Sequence, residues 1–328
     1  MQTISAARRT VLISVNPRAG QRHRGALIDQ LCGELAERNF PCETFTDIAD
    51  FEQRATELHA EEHLRAVVAA GGDGTIALLA NRTPPGAPLA ILPLGTENLL
   101  SKHFGLAADV PSLAQIIADG CTWQLDMGDA GGRLFSLMAG CGFDAEVVRL
   151  LHTERKGNIH HLSYIKPIVE AIRTYEYPEL RVRYVPVDSA DADLSEELTA
   201  RWVFVVNVPR YAGGLNLAPG ARGDDGLLDV CTFREGSLWN GLVYLGGVMF
   251  GQQESMQDFS HIRTRRLRIE AATPVPYQLD GDPGGHLPLE ICVRPGRLTV
   301  LVPRAWVEQQ TLELKTANES LEPAKIRE

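Results

Sequence analysis

The sequence is short of positive charge: 32 Lys and Arg stand against 42 Asp and Glu in 328 residues, a formal charge of −10. A protein that neutralises nucleic-acid phosphates normally carries the opposite sign, so nucleic acid is not expected as a partner. Long apolar runs are also missing. No stretch approaches the about 20 residues that carry a helix across a bilayer, and the start MQTISAARRTVLISVN reads as a short tail feeding a strand rather than as a signal peptide. A soluble, cytoplasmic protein that touches membranes from outside is expected. The six cysteines (Cys32, Cys42, Cys121, Cys141, Cys231 and Cys292) contain no C-x-x-C pair, which argues against a zinc site or a disulfide framework and for buried thiols in a reducing compartment. Internal repeats and low-complexity tracts are absent.

Apolar residues are not scarce. They make up 44% of the chain, enough for a sizeable core and for two domains of about 150 residues each. The first third alternates strand and helix signals. Val11 to Val15 reads as a strand, and Leu27, Ile28, Leu31 and Leu35 fall at helical spacing. A helix over Phe51 to Leu64, a strand over Ala66 to Ala70, a helix from Thr75, a strand over Leu89 to Leu92 and a helix over Val110 to Asp119 follow. Strands alternating with helices imply a parallel sheet covered on both faces. After about residue 122 the texture becomes mainly antiparallel β, with strands over Trp123 to Met127, Leu134 to Met138, Leu180 to Val187, Trp202 to Val208, Leu227 to Phe233, Leu267 to Ala271 and Leu298 to Val302. Helices are expected only near Glu146 to Leu151, Tyr164 to Tyr175 and Leu238 to Phe250. The fold class is therefore α/β plus β. Residues 8–122 form a parallel-sheet domain, to which a terminal segment 303–318 returns, and residues 123–302 form an antiparallel β domain. The acidic stretch Val187 to Ala200 lacks calcium-loop spacing and reads as a solvated hairpin connection.

The sharpest local signal is Gly71-Gly72-Asp73-Gly74-Thr75, which follows a buried strand and opens a helix. Glycines there let backbone N–H groups cradle phosphate where the helix dipole favours anions. A carboxylate in such a loop repels phosphate unless a divalent cation lies between them, so Asp73 implies Mg²⁺; the plainer role for Asp73 is a helix N-cap. Asn16-Pro17-Arg18-Ala19-Gly20 and Pro93-Leu94-Gly95-Thr96-Glu97-Asn98 each end another strand, and at the carboxyl edge of a parallel sheet all three loops converge on one rim.

VNPRAG, AAGGDGTI and LPLGTEN, taken in this order, resemble the diacylglycerol kinase catalytic domain family of bacterial lipid kinases, ceramide kinases and sphingosine kinases. GCGFDAEVV, the run Asn207 to Val230 and Leu279-Asp280-Gly281-Asp282 continue the resemblance, which spans about residues 10 to 302. It implies an ATP-dependent kinase of a lipid such as diacylglycerol, with a nucleotide domain of the NAD kinase/diacylglycerol kinase type and a β-sandwich domain flanking the cleft. By this resemblance ATP meets Asn16, Gly20, Thr46, Gly71, Gly72, Asp73, Gly74, Thr75, Gly95, Thr96 and Asn98. A structural metal falls on Asp225 with the carbonyls of Arg222 and Leu227, and the family's D-x-G aspartate is Asp126. Its D-G-E becomes Asp280-Gly281-Asp282, which leaves either aspartate as the base that takes the lipid hydroxyl's proton beside Mg²⁺. Partners are ATP, a lipid and, transiently, a membrane surface; a homodimer stays open.

Three positions depart from the family pattern: Ala77 and Leu78 replace Asn-Glu, Leu99 replaces an Asp, with Glu97 nearby to compensate, and Asp282 replaces a Glu, withdrawing the carboxylate by about 1.5 Å. They keep two other functions in view, an NAD kinase-like enzyme and a nucleotide-binding regulator with impaired catalysis. His103, His160 and His161 lack a paired nucleophile and are not candidates. His261 to Arg268 (HIRTRRLR) reads as one strand whose arginines form either a solvated edge or a patch for anionic head groups, and Arg149, Arg155 and Lys156 as surface charge or the rim of a lipid entrance.

Overall fold

The computed structural model describes residues 2–15, 21–153, 171, 174–189, 193–209 and 216–321. The loop Asn16 to Gly20, His160, His161, Arg155 and Lys156 lie outside the described residues, as does the helix range expected from Tyr164 to Tyr175 except Ala171, Thr174 and Tyr175. In chain order the first elements are β1 (Gln2–Thr3), β2 (Thr10–Ser14), α1 (Gln21–Glu37), β3 (Cys42–Phe45), α2 (Ile48–Ala60), β4 (Leu64–Gly71), α3 (Asp73–Arg82), β5 (Pro88–Pro93), α4 (Leu99–His103) and α5 (Val110–Asp119). Then come β6 (Cys121–Ala130), β7 (Arg133–Phe135), β8 (Met138–Cys141), α6 (Phe143–Thr153), β9 (Leu180–Tyr184), β10 (Glu196–Ala200), β11 (Trp202–Val206), β12 (Leu228–Phe233) and α7 (Leu238–Met249). The last are β13 (Phe259–Thr264), β14 (Arg266–Ala271), β15 (Pro276–Leu279), β16 (Asp282–His286), β17 (Leu289–Leu301) and α8 (Arg304–Leu321).

β5, β4, β2 and β3 lie side by side and parallel. β4 is LRAVVAAG with every residue buried, as expected of a strand covered on both faces. Alternate residues sort the two sides: Val11, Ile13, Ala66 and Val68 pack under α1 and α5, whereas Leu12, Val67 and Ala69 pack under α2 and α3. Local signals end these helices. The Asp47 carboxylate accepts from Ala49 N at 2.8 Å and Asp50 N at 3.1 Å to start α2. α2 stops at Ala60, short of the expected Leu64, because Leu64 already opens β4.

The parallel region does not end at an interdomain gap. β17 is 13 residues long. Its second half pairs parallel with β5 through Thr299↔Pro88 and Val300↔Leu89, its first half pairs antiparallel with β14, and β6 runs antiparallel along both halves. One sheet thus passes from parallel to antiparallel across this strand. A second, antiparallel sheet, β13-β12-β11-β8-β15-β16, faces its antiparallel part. Val203, Val205, Leu228 and Val230 from that sheet close a core against Leu180, Val182, Leu267, Ile269 and Ile291 from the first.

The stretch His261 to Arg268 is not one strand: the chain changes sheets at Arg265, with β13 paired to β12 and β14 to β9 and β17. Arg263, Arg266 and Arg268 pair with Asp225, Glu290 and Glu270, which removes the free basic patch. Leu134 to Met138 also divides, between β7 and β8. The acidic stretch joins β9 to β10 as an antiparallel hairpin. On α8, Trp306 packs 4.9 Å from the Phe104 ring and 5.2 Å from the Trp123 ring, donates from Nε1 to the His103 carbonyl, and stacks edge-on with the His103 ring. No helix among the described residues is long and apolar enough to cross a membrane.

Candidate active site

The rim begins where β4 ends. Gly72 caps α3, accepting from Thr75 N and Ile76 N. The loop after β5 is fastened to it, because Leu94 N donates to the Gly71 carbonyl at 2.9 Å. The approach is close enough to require glycine on both sides. A Cβ on Gly95 would lie 2.5 Å from Gly72 Cα and 2.7 Å from Asn98 Oδ1, and one on Gly72 would lie 3.1 Å from Gly95 Cα. Asn98, in the left-handed region at φ 50°, holds the same loop from within, accepting from Gly95 N at 2.9 Å and donating to Gly95 O at 2.8 Å. Thr96 and Thr46 are exposed on this rim, Thr46 directly after β3.

Asp73 is neither the N-cap of its own helix nor a free rim carboxylate. Its two oxygens accept from Leu99 N at 3.0 Å and Leu100 N at 3.1 Å, so it caps α4 from across the site. Burial raises its pKa, opposed by those N–H groups, and nearby Glu97 adds to the rise. The Leu99 side chain is in the core, so no carboxylate stands at that position. Asp73 has one backbone N–H on each oxygen and Glu97 lies 3.9 Å from Lys102 Nζ; the lone pairs these contacts leave are the carboxylate capacity at this rim for Mg²⁺, which takes one or two carboxylates when the rest of its shell is phosphate oxygen and water.

At the expected structural metal set, Asp225 is paired with the Arg263 guanidinium and accepts from Leu227 N at 3.1 Å, and the Arg222 side chain pairs with Asp224, which leaves the carbonyls of Arg222 and Leu227 as the other expected ligands. Asp126 is buried with one oxygen on Gly226 N and the other on Gly296 N, both at 2.7 Å. It ties two loops to β6. No cluster of three or more His, Cys, Asp or Glu side chains suited to a metal occurs among the described residues.

The acid pair at the β15–β16 tip separates clearly. Leu279 and Asp282 face each other across a two-residue turn whose central residues, Asp280 and Gly281, have φ of 50° and 85°, the geometry for which Asp-Gly is favoured. Asp280 turns inward. It accepts from Ser136 N (2.7 Å), Ser136 Oγ (3.1 Å), Leu137 N (2.8 Å) and Met138 N (3.0 Å), while burial pushes its pKa up to about 6. With all its oxygens engaged it positions the tip. Gln278 assists, accepting from Gly281 N at 2.7 Å and donating to Asp144 at 3.0 Å, which gives the Phe143-Asp144-Ala145 motif a structural task.

Asp282 faces outward with its side chain 42% exposed, across from the glycine turn: a Cβ on Gly74 would lie 3.9 Å from its Oδ2. Two residues that the sequence did not flag stand beside it. Arg133 comes within 3.8 Å of Oδ2 and also donates to the Pro283 carbonyl at 2.9 Å, and His152 Nε2 lies 3.5 Å from Oδ1. No spacing signal marks either residue, because β7, α6 and the β15–β16 tip meet only through the fold.

Comparison with known proteins bears on the family and the fold. Residues 10–130 match the diacylglycerol kinase catalytic domain and residues 138–302 match the YegS C-terminal NAD kinase beta sandwich-like domain. A protein of Pseudomonas aeruginosa named probable lipid kinase YegS-like is 32% identical over 72% of this chain and 76% of its own. The chain belongs to the diacylglycerol kinase-like lipid kinase family. The diacylglycerol kinase of Bacillus subtilis is 25% identical over 90% of this chain and 97% of its own length. A crystal structure of a diacylglycerol kinase from Bacillus anthracis shares the fold with TM-score 0.63, covering 92% of this chain and 99% of that one at 20% identity. The lipid kinase family therefore supplies both the parallel-sheet fold around the glycine turn and the sandwich that carries Asp282.

Proposed function

We propose that the protein transfers the γ-phosphoryl of ATP to a hydroxyl of a membrane lipid such as diacylglycerol, with Asp282 as the base. Residues 8–122 and the returning segment 303–318 hold the nucleotide, and residues 123–302 supply the base and the lipid site. The approach of the half-exposed Asp282 carboxylate to Gly74, on the turn that favours phosphate, is the observation that carries this reading.

Thr75 N and Ile76 N already donate to Gly72 O, so at the N-terminus of α3 the Gly74 N–H receives phosphate oxygen, with Thr75, Thr96 and Thr46 on the same rim. The lipid oxygen attacks the γ-phosphorus, its proton passes to Asp282, and the bond from phosphorus to the bridging oxygen breaks to release ADP. Arg133 brings positive charge to the same mouth, and His152 holds the other carboxylate oxygen. Bound Mg²⁺, with Asp73 and Glu97 as its carboxylates, would offset negative charge on the phosphates.

The test is incubation with labelled ATP and a panel of diacylglycerol, phosphatidylglycerol, sphingoid lipid and NAD. A lipid should be labelled, and Asp282→Asn should lower its rate about 10²- to 10⁴-fold with ATP affinity and melting temperature unchanged. Labelling of NAD, labelling of nothing despite ATP binding, or undiminished turnover in Asp282→Asn overturns the reading.

A further inference from the structure

The sequence carries no charged residue between Glu235 and Glu254, and α7 fills most of that interval. Its two faces differ. Tyr244 and Val248 are buried, Tyr244 stacking 4.2 Å from the Phe233 ring, and Gly241 and Gly247 are backed closely by Trp202 and Met256. On the other side Trp239 and Phe250 are each 74% exposed, Met249 63% and Val243 48%. Trp239, Val243, Gly246 and Phe250 recur at helical spacing, and a Cβ on Gly246 would meet nothing. Four of the seven exposed large hydrophobic side chains among the described residues thus belong to this one helix and its cap.

We propose that this stripe is the surface by which the protein seats on a lipid bilayer, an inference that rests on the lipid kinase reading above. At 12 residues, about 18 Å, α7 is too short to span a bilayer of about 30 Å but suits lying in the interface, with a tryptophan near one end and a phenylalanine at the other. The four side chains offer about 500 Å², taking roughly 150–250 Å² per aromatic, below the about 800 Å² per partner of a stable protein interface. Placement supports the assignment. α6 and α7 cover the same face of the second sheet, linked through Trp202, whose ring lies 5.2 Å from Phe143 and 6.1 Å from Tyr244. α6 carries His152 beside Asp282 near its other end, so the stripe and the base belong to elements joined through the same helix.

The charges predict which membrane. The stripe is neutral, the chain carries −10, and the arginines of His261 to Arg268 that could have met anionic lipid are largely paired with carboxylates. Attachment is apolar and gains nothing from anionic lipid.

The experiment sediments the full chain with vesicles of phosphatidylcholine alone and of phosphatidylcholine mixed with phosphatidylglycerol, at low and high salt. Wild type should partition onto the neutral vesicles independently of salt. The variant Trp239→Ser/Phe250→Ser should partition at least about tenfold more weakly per aromatic removed, with unchanged melting temperature and unchanged phosphorylation of a short-chain, water-soluble diacylglycerol. Equal partitioning of the variant, binding only to phosphatidylglycerol and only at low salt, or a Trp239-dependent dimer without vesicle binding overturns the proposal. Vesicle binding is read without turnover: if no lipid is phosphorylated but the variant still loses binding, the kinase reading fails and the docking surface stands.

Discussion

Gly95→Ala is the sharpest probe of the nucleotide rim. The added methyl would stand 2.5 Å from Gly72 Cα and 2.7 Å from Asn98 Oδ1, about 1 Å inside ordinary carbon contact at about 3.5 Å. Neither neighbour yields locally. Gly72 Cα is backbone at the head of α3, and Asn98 is tied to Gly95 by both its donor and its acceptor. The two loops must therefore part by about 1 Å, a displacement that can lower a rate a hundredfold when it misplaces reacting groups, and overpacking of this size lowers stability by about 1–3 kcal/mol. Gly74→Ala is the control. Its methyl meets only Asp282 Oδ2 at 3.9 Å, so the fold should be unchanged. Isothermal titration with ATP, a thermal melt and lipid phosphorylation should show Gly95→Ala weakened in all three and Gly74→Ala with an unchanged melting temperature. Gly95→Ala with wild-type ATP affinity and melting temperature would refute the argument that this contact shapes the nucleotide site.

Two further outcomes follow from the buried charges. Asp280 is raised to about 6 from 3.8, so its contribution to stability is fully present below about pH 4 and is lost as pH rises through 6, with a ceiling of about 3 kcal/mol; urea melts from pH 4 to 7 should show this slope in wild type and not in Asp280→Asn, and an opposite slope sinks it. Asp225 is already neutralised by Arg263, so EDTA should leave the wild-type melting temperature unchanged, whereas Arg263→Ala should melt earlier, by about 1–3 kcal/mol of stability, and regain part of it with Mg²⁺; a wild-type loss on EDTA contradicts this assignment.

Local chemistry made much of the fold legible. Val110 to Asp119 forms a helix over the expected residues because Asp109 caps it and Gly120 ends it at φ 66°, and β4 announced itself as an unbroken small apolar run. Strands left unmarked, such as β3, β10, β15 and β16, are four or five residues long and carry polar residues such as Glu43, Glu197, Gln278 and His286; pairing, not apolar alternation, makes them strands. Nor could the sequence show that β17 joins the parallel and antiparallel regions, because its partners β5 and β6 are about 170 to 200 residues away in the chain.

The carboxylates make the same point at the site. Asp73, Asp126, Asp225, Asp280 and Asp282 look alike in sequence, each within two residues of a glycine, and each reads as a ligand or base. What separates them is where distant donors fall. Leu99 and Leu100 claim Asp73, Gly226 and Gly296 claim Asp126, Arg263 claims Asp225, and residues 136 to 138 claim Asp280. Each of these contacts fastens one part of the chain to another, and a carboxylate whose oxygens are turned onto protein donors is not turned to a substrate hydroxyl in the cleft. Among the described residues Asp282 has only the longer contacts to Arg133 and His152. On the proposed reading it is the member of the set that exchanges a proton, while Asp73 and Asp280 hold the glycine turn and the hairpin tip that bring it to Gly74.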